Sequence, residues 1–259
     1  DAYGGRFTVA EVVGPDALAE MRAFTAPGRL STAYGLDFLY APALTAEGVR
    51  RALSPWTTEG WPAWAFSNHD APRAVSRWAP EGDRDACARM ALMLLMCLRG
   101  DVFLYQGEEL GLPQGQVPFE RLRDPEAIAN WPLTLGRDGA RTPMPWRRDA
   151  PNAGFSTGEP WLPMDPRHPA LAVDAQEADP ASMLNWTRRL VELRRAEPAL
   201  RRGELRFVEA PSPLIAFERG GAGDGRRLLC LFNPTGRAVD WAPPAGGRMR
   251  LGVHETAGA

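Results

Sequence analysis

Three carboxylate positions follow apolar runs in a chain of 259 residues. Glu11 closes Phe7-Thr8-Val9-Ala10-Glu11, Asp70 closes Phe66-Ser67-Asn68-His69-Asp70, and the pair Glu108-Glu109 comes just after Val102-Phe103-Leu104-Tyr105. Parallel sheets present their active sites at the carboxyl ends of the strands, so these positions are candidates for chemistry. Two chemistries suit them. Carboxylates facing one another across a cleft can hydrolyse a glycosidic bond, one acting as acid and base while others stabilise oxocarbenium-like charge. An Asn-His-Asp run can also ligate a metal, but that reading needs further histidines, and only His168 and His254 remain, both outside the sheet pattern.

The elements that must position these residues follow a βαβ rhythm. Apolar runs at 6–12, 34–40, 61–66 and 102–105 predict four parallel strands, with helices predicted over 16–26, 45–53 and 83–98. The third helix is apolar on all sides over 90–98, which predicts burial of its methionines and of Cys97 as core filling. Residues 107–179 are rich in Pro and Trp and weakly periodic, the pattern of a long ordered loop. Asp179-Pro180 predicts a helix start, and its stripe Met183, Trp186, Leu190, Leu193 carries it to 196. Short strands at 204–210, 214–219, 227–232 and 248–254 then predict a separate antiparallel module. The expected division is 1–197 and 198–259.

Composition narrows the function classes. Thirty basic residues against 32 acidic ones give a net charge of −2, and every basic residue is arginine, spread along the chain. That balance argues against nucleic acid as a partner. No apolar run approaches the roughly 18 residues of a membrane span, so no membrane partner is expected. Three cysteines without a Cys-x-x-Cys spacing signal neither a zinc knuckle nor a disulfide framework, and they suggest a reducing, cytoplasmic setting.

Three motifs carry a resemblance: Phe66-Ser67-Asn68-His69-Asp70, Tyr105-Gln106-Gly107-Glu108-Glu109-Leu110-Gly111, and Gly136-Arg137-Asp138-Gly139-Ala140-Arg141-Thr142-Pro143-Met144-Pro145-Trp146. Together with Asn152-Ala153-Gly154-Phe155-Ser156 and Glu159-Pro160-Trp161-Leu162, they resemble the α-glucosidase branch of the α-amylase superfamily, glycoside hydrolase family 13. The resemblance implies an α/β fold: the C-terminal half of a (β/α)8 barrel, strands five to eight, followed by a small antiparallel β-sandwich. It also implies roles. Glu11 matches the general acid/base, Asp70 the transition-state stabiliser, His69 a hydrogen-bonding residue of the cleaved-bond subsite, and Arg137 the arginine closing that subsite. Asn68 and Arg141 join the substrate-binding set, and Arg141 with Asp138 can alternatively brace the loop as an ion pair. Glu108 and Glu109 read as loop-ordering residues. Phe155, Trp161 and Trp131 read either as sugar-stacking faces or as packing anchors.

The match stops short of a whole enzyme. The family's retaining mechanism needs a nucleophilic Asp after a Gly-Phe-Arg or Gly-Tyr-Arg run, and this chain has no such run. Asp1 lacks that context, and so does Asp37, which the pattern puts inside the second strand. The expectation is therefore a fragment of a retaining α-glucosidase, inactive alone, whose substrate is an oligosaccharide or disaccharide. No cofactor or metal is expected in this chain, and any calcium site belongs to the missing half. The alternative is a non-catalytic or truncated relative that binds carbohydrate or a protein partner. A half barrel also leaves open sheet edges and uncovered apolar faces, which predicts aggregation.

Overall fold

The computed structural model describes residues 5–56, 60–80, 82–134, 136–221, 226–242 and 249–253. In chain order the first elements are β1 (Val9–Glu11), α1 (Ala17–Phe24), β2 (Thr32–Tyr34), α2 (Ala46–Leu53), β3 (Ala63–Ala65), α3 (Ala74–Trp78), α4 (Arg84–Cys97) and β4 (Asp101–Phe103). There follow α5 (Pro125–Asn130), α6 (Val173–Glu177), α7 (Met183–Ala196), α8 (Pro198–Arg202), β5 (Glu204–Phe207), β6 (Ile215–Gly220) and β7 (Arg227–Phe232). Contacts group the chain into two compact units: Asp1–Ala65 with Leu94–Phe103 and Leu193–Pro234, and Phe66–Met93 with Leu104–Glu192 and Thr235–Ala259.

In the first unit the four early strands are parallel in pairs. β1 pairs with β2 in the register Glu11 to Tyr34, and β3 with β4 in the register Ala65 to Phe103. β2 lies beside β3, where the Thr32 hydroxyl donates to the Trp61 carbonyl at 3.1 Å. The intervening helices start where their caps dictate. Asp16 accepts from the Ala19 amide at 3.1 Å and Thr45 from the Gly48 amide at 3.0 Å, so each satisfies one of the donors a helix leaves unpaired at its start.

The second strand corrects the sequence pattern. It spans Thr32–Tyr34, not 34–40, and the chain turns after Gly35, with the Leu39 amide bonded to the Leu36 carbonyl at 3.1 Å. Phe38 and Leu39 are both buried. Burial of adjacent residues would suit a parallel strand as well, as in β3, whose three residues are all buried; it is the Leu36–Leu39 bond that ends the extended run. Asp37 therefore lies beyond the strand, not inside it, and burial pushes its carboxyl above the usual range.

Gly100 turns the chain from α4 into β4 at φ 128°, and a Cβ there would collide with the Pro62 carbonyl oxygen. β5, β6 and β7 form one antiparallel sheet in that order. Of the expected fourth strand, residues 249–253 are not in strand, and 248 and 254 lie outside the described residues. Among the described residues the module is thus one three-stranded sheet with no second sheet facing it. Phe7, Val9 and Val13, on and beside β1, are exposed.

The second unit carries α3, the first part of α4, α5, α6, most of α7 and the long loops. Its core includes fully buried Trp186, whose indole N–H donates to the Arg89 carbonyl at 3.2 Å. α7 starts at Met183, later than the Asp179-Pro180 signal implies. Asp179 accepts from the Ala181 amide at 2.8 Å and so closes a turn, and Ser182 then caps the helix through the Asn185 amide at 3.2 Å. Among the described residues no helix is long and apolar enough to cross a membrane.

Candidate active site

In the second unit, Asn68 builds the turn that presents His69 and Asp70. Its side-chain oxygen accepts from the Asp70 amide at 2.9 Å and the Ala71 amide at 2.8 Å. Its polarity is therefore directed at the backbone of the turn. Arg141 donates to Asp70 Oδ1 at 2.7 Å and, through Nε, to the His69 carbonyl at 2.7 Å. Arg137 Nη1 lies 3.5 Å from the same Oδ1, and His69 Nε2 lies 3.5 Å from Oδ2. Two guanidinium groups and an imidazole thus surround one carboxylate that keeps a third of its side-chain surface open to solvent. Such a carboxylate is placed to face a cationic centre brought against it.

Arg137 is aimed by Asp124, a residue the sequence reading missed. Asp124 is fully buried and receives a two-pronged contact, Arg137 Nε at 3.0 Å and Nη2 at 2.7 Å, together with the Arg137 amide at 2.7 Å. These donors hold its carboxyl well below the ordinary range. The available signal was Asp124-Pro125, a cap followed by proline at the start of α5, where Asp124 also accepts from the Glu126 amide at 3.2 Å.

The ion pair considered between Arg141 and Asp138 is not formed. Asp138 is buried and accepts from the Arg123 and Asp124 amides at 2.6 and 2.9 Å, which leaves Arg141 to Asp70.

Beneath the turn lies a second polar layer. Glu108 is buried, accepts from the Ser67 hydroxyl at 2.7 Å and from the Tyr105 amide at 3.0 Å, and is pushed up to about 7 by burial against those stabilising bonds. Ser67 in turn accepts from the Ala74 amide at 2.8 Å. Glu109 accepts from the Gly107 amide at 2.7 Å. Arg73, buried, donates to the carbonyls of Gln106 at 2.7 Å and Ala140 at 3.3 Å, and Arg77 donates to the Phe66 carbonyl at 2.6 Å. The loop of residues 105–111 and the loop of 137–141 are therefore tied to the segment that carries Asp70.

The structure brings Asn68, His69, Asp70, Arg137 and Arg141 together in one unit. Glu11 ends β1 in the first unit, in register with Tyr34, and is exposed. Trp131, Phe155 and Trp161 are each about half exposed, so none is a buried anchor, and Trp131 leans on Phe119 with centroids 5.5 Å apart. His168 is fully buried, with Nε2 3.0 Å from the Pro113 carbonyl, and His254 lies outside the described residues. Among the described residues no group of three or more His, Cys, Asp or Glu side chains is placed to hold a metal ion.

Comparison with known proteins agrees with the motifs. Residues 37–203 match the family model of the alpha amylase catalytic domain. A probable alpha-glucosidase of Rhizobium meliloti is 46% identical over 211 residues, covering 80% of this chain and 38% of the relative. A glucan 1,6-alpha-glucosidase of Streptococcus pneumoniae is 32% identical, covering 78% of this chain and 41% of its own length. The crystal structure of an alpha-glucosyl transfer enzyme superposes with a TM-score of 0.89 at 43% identity, covering 95% of this chain and 46% of that one. The chain spans less than half the length of each.

Proposed function

Because this chain belongs to the alpha-amylase catalytic-domain family of glycoside hydrolases, we propose that it is the C-terminal part of a retaining α-glucosidase acting on terminal α-glucosidic bonds of oligosaccharides or disaccharides. Residues 1–197 are then barrel strands five to eight with their loops, and 198–259 the all-β domain. The observation that carries the reading is the setting of Asp70, a partly open carboxylate framed by His69, Arg137 and Arg141.

Each residue has a defined task in that reaction. Glu11 protonates the departing glycosidic oxygen and later deprotonates the attacking water. Asp70 stabilises the oxocarbenium-like charge at the anomeric carbon. His69 and Arg137 bind sugar hydroxyls, while Arg141 and Asn68 keep Asp70 and its turn in place. The nucleophilic Asp comes from sequence this chain does not contain, and no resident cofactor is required. The names of the relatives, one a probable alpha-glucosidase and one a glucan 1,6-alpha-glucosidase, support the glucoside class without fixing a linkage. A cytoplasmic location goes with this reading.

The test uses the uninterrupted polypeptide that contains this chain and the upstream Gly-Phe-Arg or Gly-Tyr-Arg run with its Asp. Glu11→Gln in that protein is expected to lower turnover of an α-glucoside by several orders of magnitude, most for substrates with poor leaving groups. Unchanged turnover would overturn the assignment. Saturable maltose binding by the native product, with no hydrolysis and no such run upstream, would favour a binding protein instead.

A further inference from the structure

Phe119, Trp131 and Trp161 are exposed by 48%, 43% and 62%, and all three lie in the second unit. Burying such rings would stabilise the fold, and an exposed cluster of them marks an interaction surface. The elements beneath them keep them outside. α5 turns Ala127 inward, fully buried against Gly136, where a Cβ would collide with the Ala127 methyl. That leaves Ile128 and, at the end of the helix, Trp131 on the outward side. The turn of residues 119–121 likewise buries the following Leu122 and leaves Phe119 exposed.

Printed side by side in space, the three rings join into one strip. Phe119 and Trp131 meet with centroids 5.5 Å apart and planes inclined at 49°. Arg121, on the same turn as Phe119, pairs at 2.7 Å with Glu159, which stands just before Pro160-Trp161. Arg123 donates through Nε to the Trp161 carbonyl at 3.4 Å and through its amide to Asp138 at 2.6 Å. The strip is therefore anchored at Asp138 and at Asp124, the start of α5, from which Trp131 stands about 10 Å away along the helix. The Arg137 guanidinium lies between Asp124 and Asp70, so the strip adjoins the candidate site without entering it. Polar groups flank the rings: Asn130 donates to the Glu126 carbonyl at 3.1 Å and Thr134 to the Glu126 carboxylate at 3.4 Å. Arg121 and Arg123 stand against Glu126 and Glu159, a mixture of signs that suits an uncharged polyhydroxyl ligand better than a charged macromolecule.

We propose that Phe119, Trp131 and Trp161 form an accessory carbohydrate-binding surface that holds a glucan chain beside the Asp70 site. Each ring offers an apolar face to the C–H surface of a hexose, and the flanking Asn130, Glu126 and Arg121 side chains meet the hydroxyls at the sugar's edge. No bond is made or broken there. Holding the chain raises the local concentration of its ends next to the site that cleaves terminal sugars. The choice of a glucan as ligand rests on the glucosidase reading; the surface itself rests on the exposed rings and their anchoring.

Affinity electrophoresis of the uninterrupted polypeptide tests it, in native gels cast with soluble starch, with dextran, or with no glucan. Retardation of the parent by starch or by dextran is expected. Trp131→Ala, Phe119→Ala and Trp161→Ala are each expected to weaken the apparent Kd by about 3- to 10-fold. Trp131→Phe, which keeps a ring, is expected to recover most of the retardation. A parent unretarded by both glucans would overturn the proposal, as would variants retarded as strongly as the parent. If Trp131→Ala does not fold, Trp161→Ala, on a different loop, still decides. Maltose hydrolysis by the same parent preparation is read separately. A parent that is retarded but inactive would overturn the glucosidase reading and support the surface; one that is active but unretarded would do the reverse.

Discussion

Two groups of arginines in this chain do opposite things. Arg137 and Arg141 meet carboxylates at a partly open surface, and Asp70, the group they frame, keeps contact with solvent. Arg194 and Arg219 are turned onto backbone carbonyls in the interior, where they close the end of α4, and Arg219 the end of α8 as well. A guanidinium on a carboxylate organises charge that another molecule can use, whereas one on helix-end carbonyls satisfies groups that would otherwise be orphaned. The first arrangement can be altered at small cost to the fold. The second cannot.

The largest effect expected from this contrast is at Arg219. Arg219→Ala removes the donors of four carbonyls and leaves a void the length of an arginine side chain. Buried carbonyls without partners cost about 1–3 kcal/mol each before any relaxation, so a loss of about 4 kcal/mol or insoluble expression is expected. Urea denaturation of the soluble fraction measures it. A loss below about 1 kcal/mol would mean that the carbonyls find water, and the interior arginine would then be no more structural than the exposed ones.

The contrast was only half legible in the sequence. The Asp70, Arg137 and Arg141 motifs stand in short contiguous runs, and local chemistry such as the Asn68 turn is written within a few residues. Likewise the caps Asp16 and Thr45 mark the starts of α1 and α2, and the edges of β7 follow from its apolar run. Arg219 carries no such signal. Its partners Leu200, Gly203 and Cys97 become neighbours only when α8 and the end of α4 come beside β6, a long-range event that no local period encodes. The strand expected over 34–40 failed for a related reason. Its run Leu36-Asp37-Phe38-Leu39-Tyr40 is apolar enough for a strand, and the Leu36–Leu39 turn that buries Phe38 and Leu39 is not written in that pattern.

Glu108 sharpens the comparison from the acidic side, because it is a buried carboxyl in the layer beneath an exposed one. Folded, it titrates near 7; unfolded, it titrates near 4.5. Between those values the native state holds a proton that the unfolded chain has released, so this group makes stability fall as pH rises from about 4.5 to 7. Glu108→Gln fixes the neutral form in nearly the same shape. Relative to the parent, the variant is expected to be level near pH 4 and about 3 kcal/mol more stable at pH 8, read from denaturation midpoints across that range. Parallel pH profiles for the two proteins would show that Glu108 stays ionised in the fold and that Arg73 and Arg77 neutralise it.

The smallest expected effect on folding is at Arg141. Arg141→Ala removes two hydrogen bonds at 2.7 Å, to Asp70 and to the His69 carbonyl, from a side chain with solvent access. Water can replace both donors, so the stability loss should be about 1 kcal/mol. The functional loss should be larger, because Asp70 then keeps only Arg137 and His69, each 3.5 Å away, to hold its orientation. In the uninterrupted enzyme this predicts a fall in kcat with KM little changed, the pattern of an interaction used in the transition state. A stability loss as large as that at Arg219 would erase the distinction between the two groups. An unchanged kcat would mean that Asp70 is oriented by its own Asn68-built turn alone.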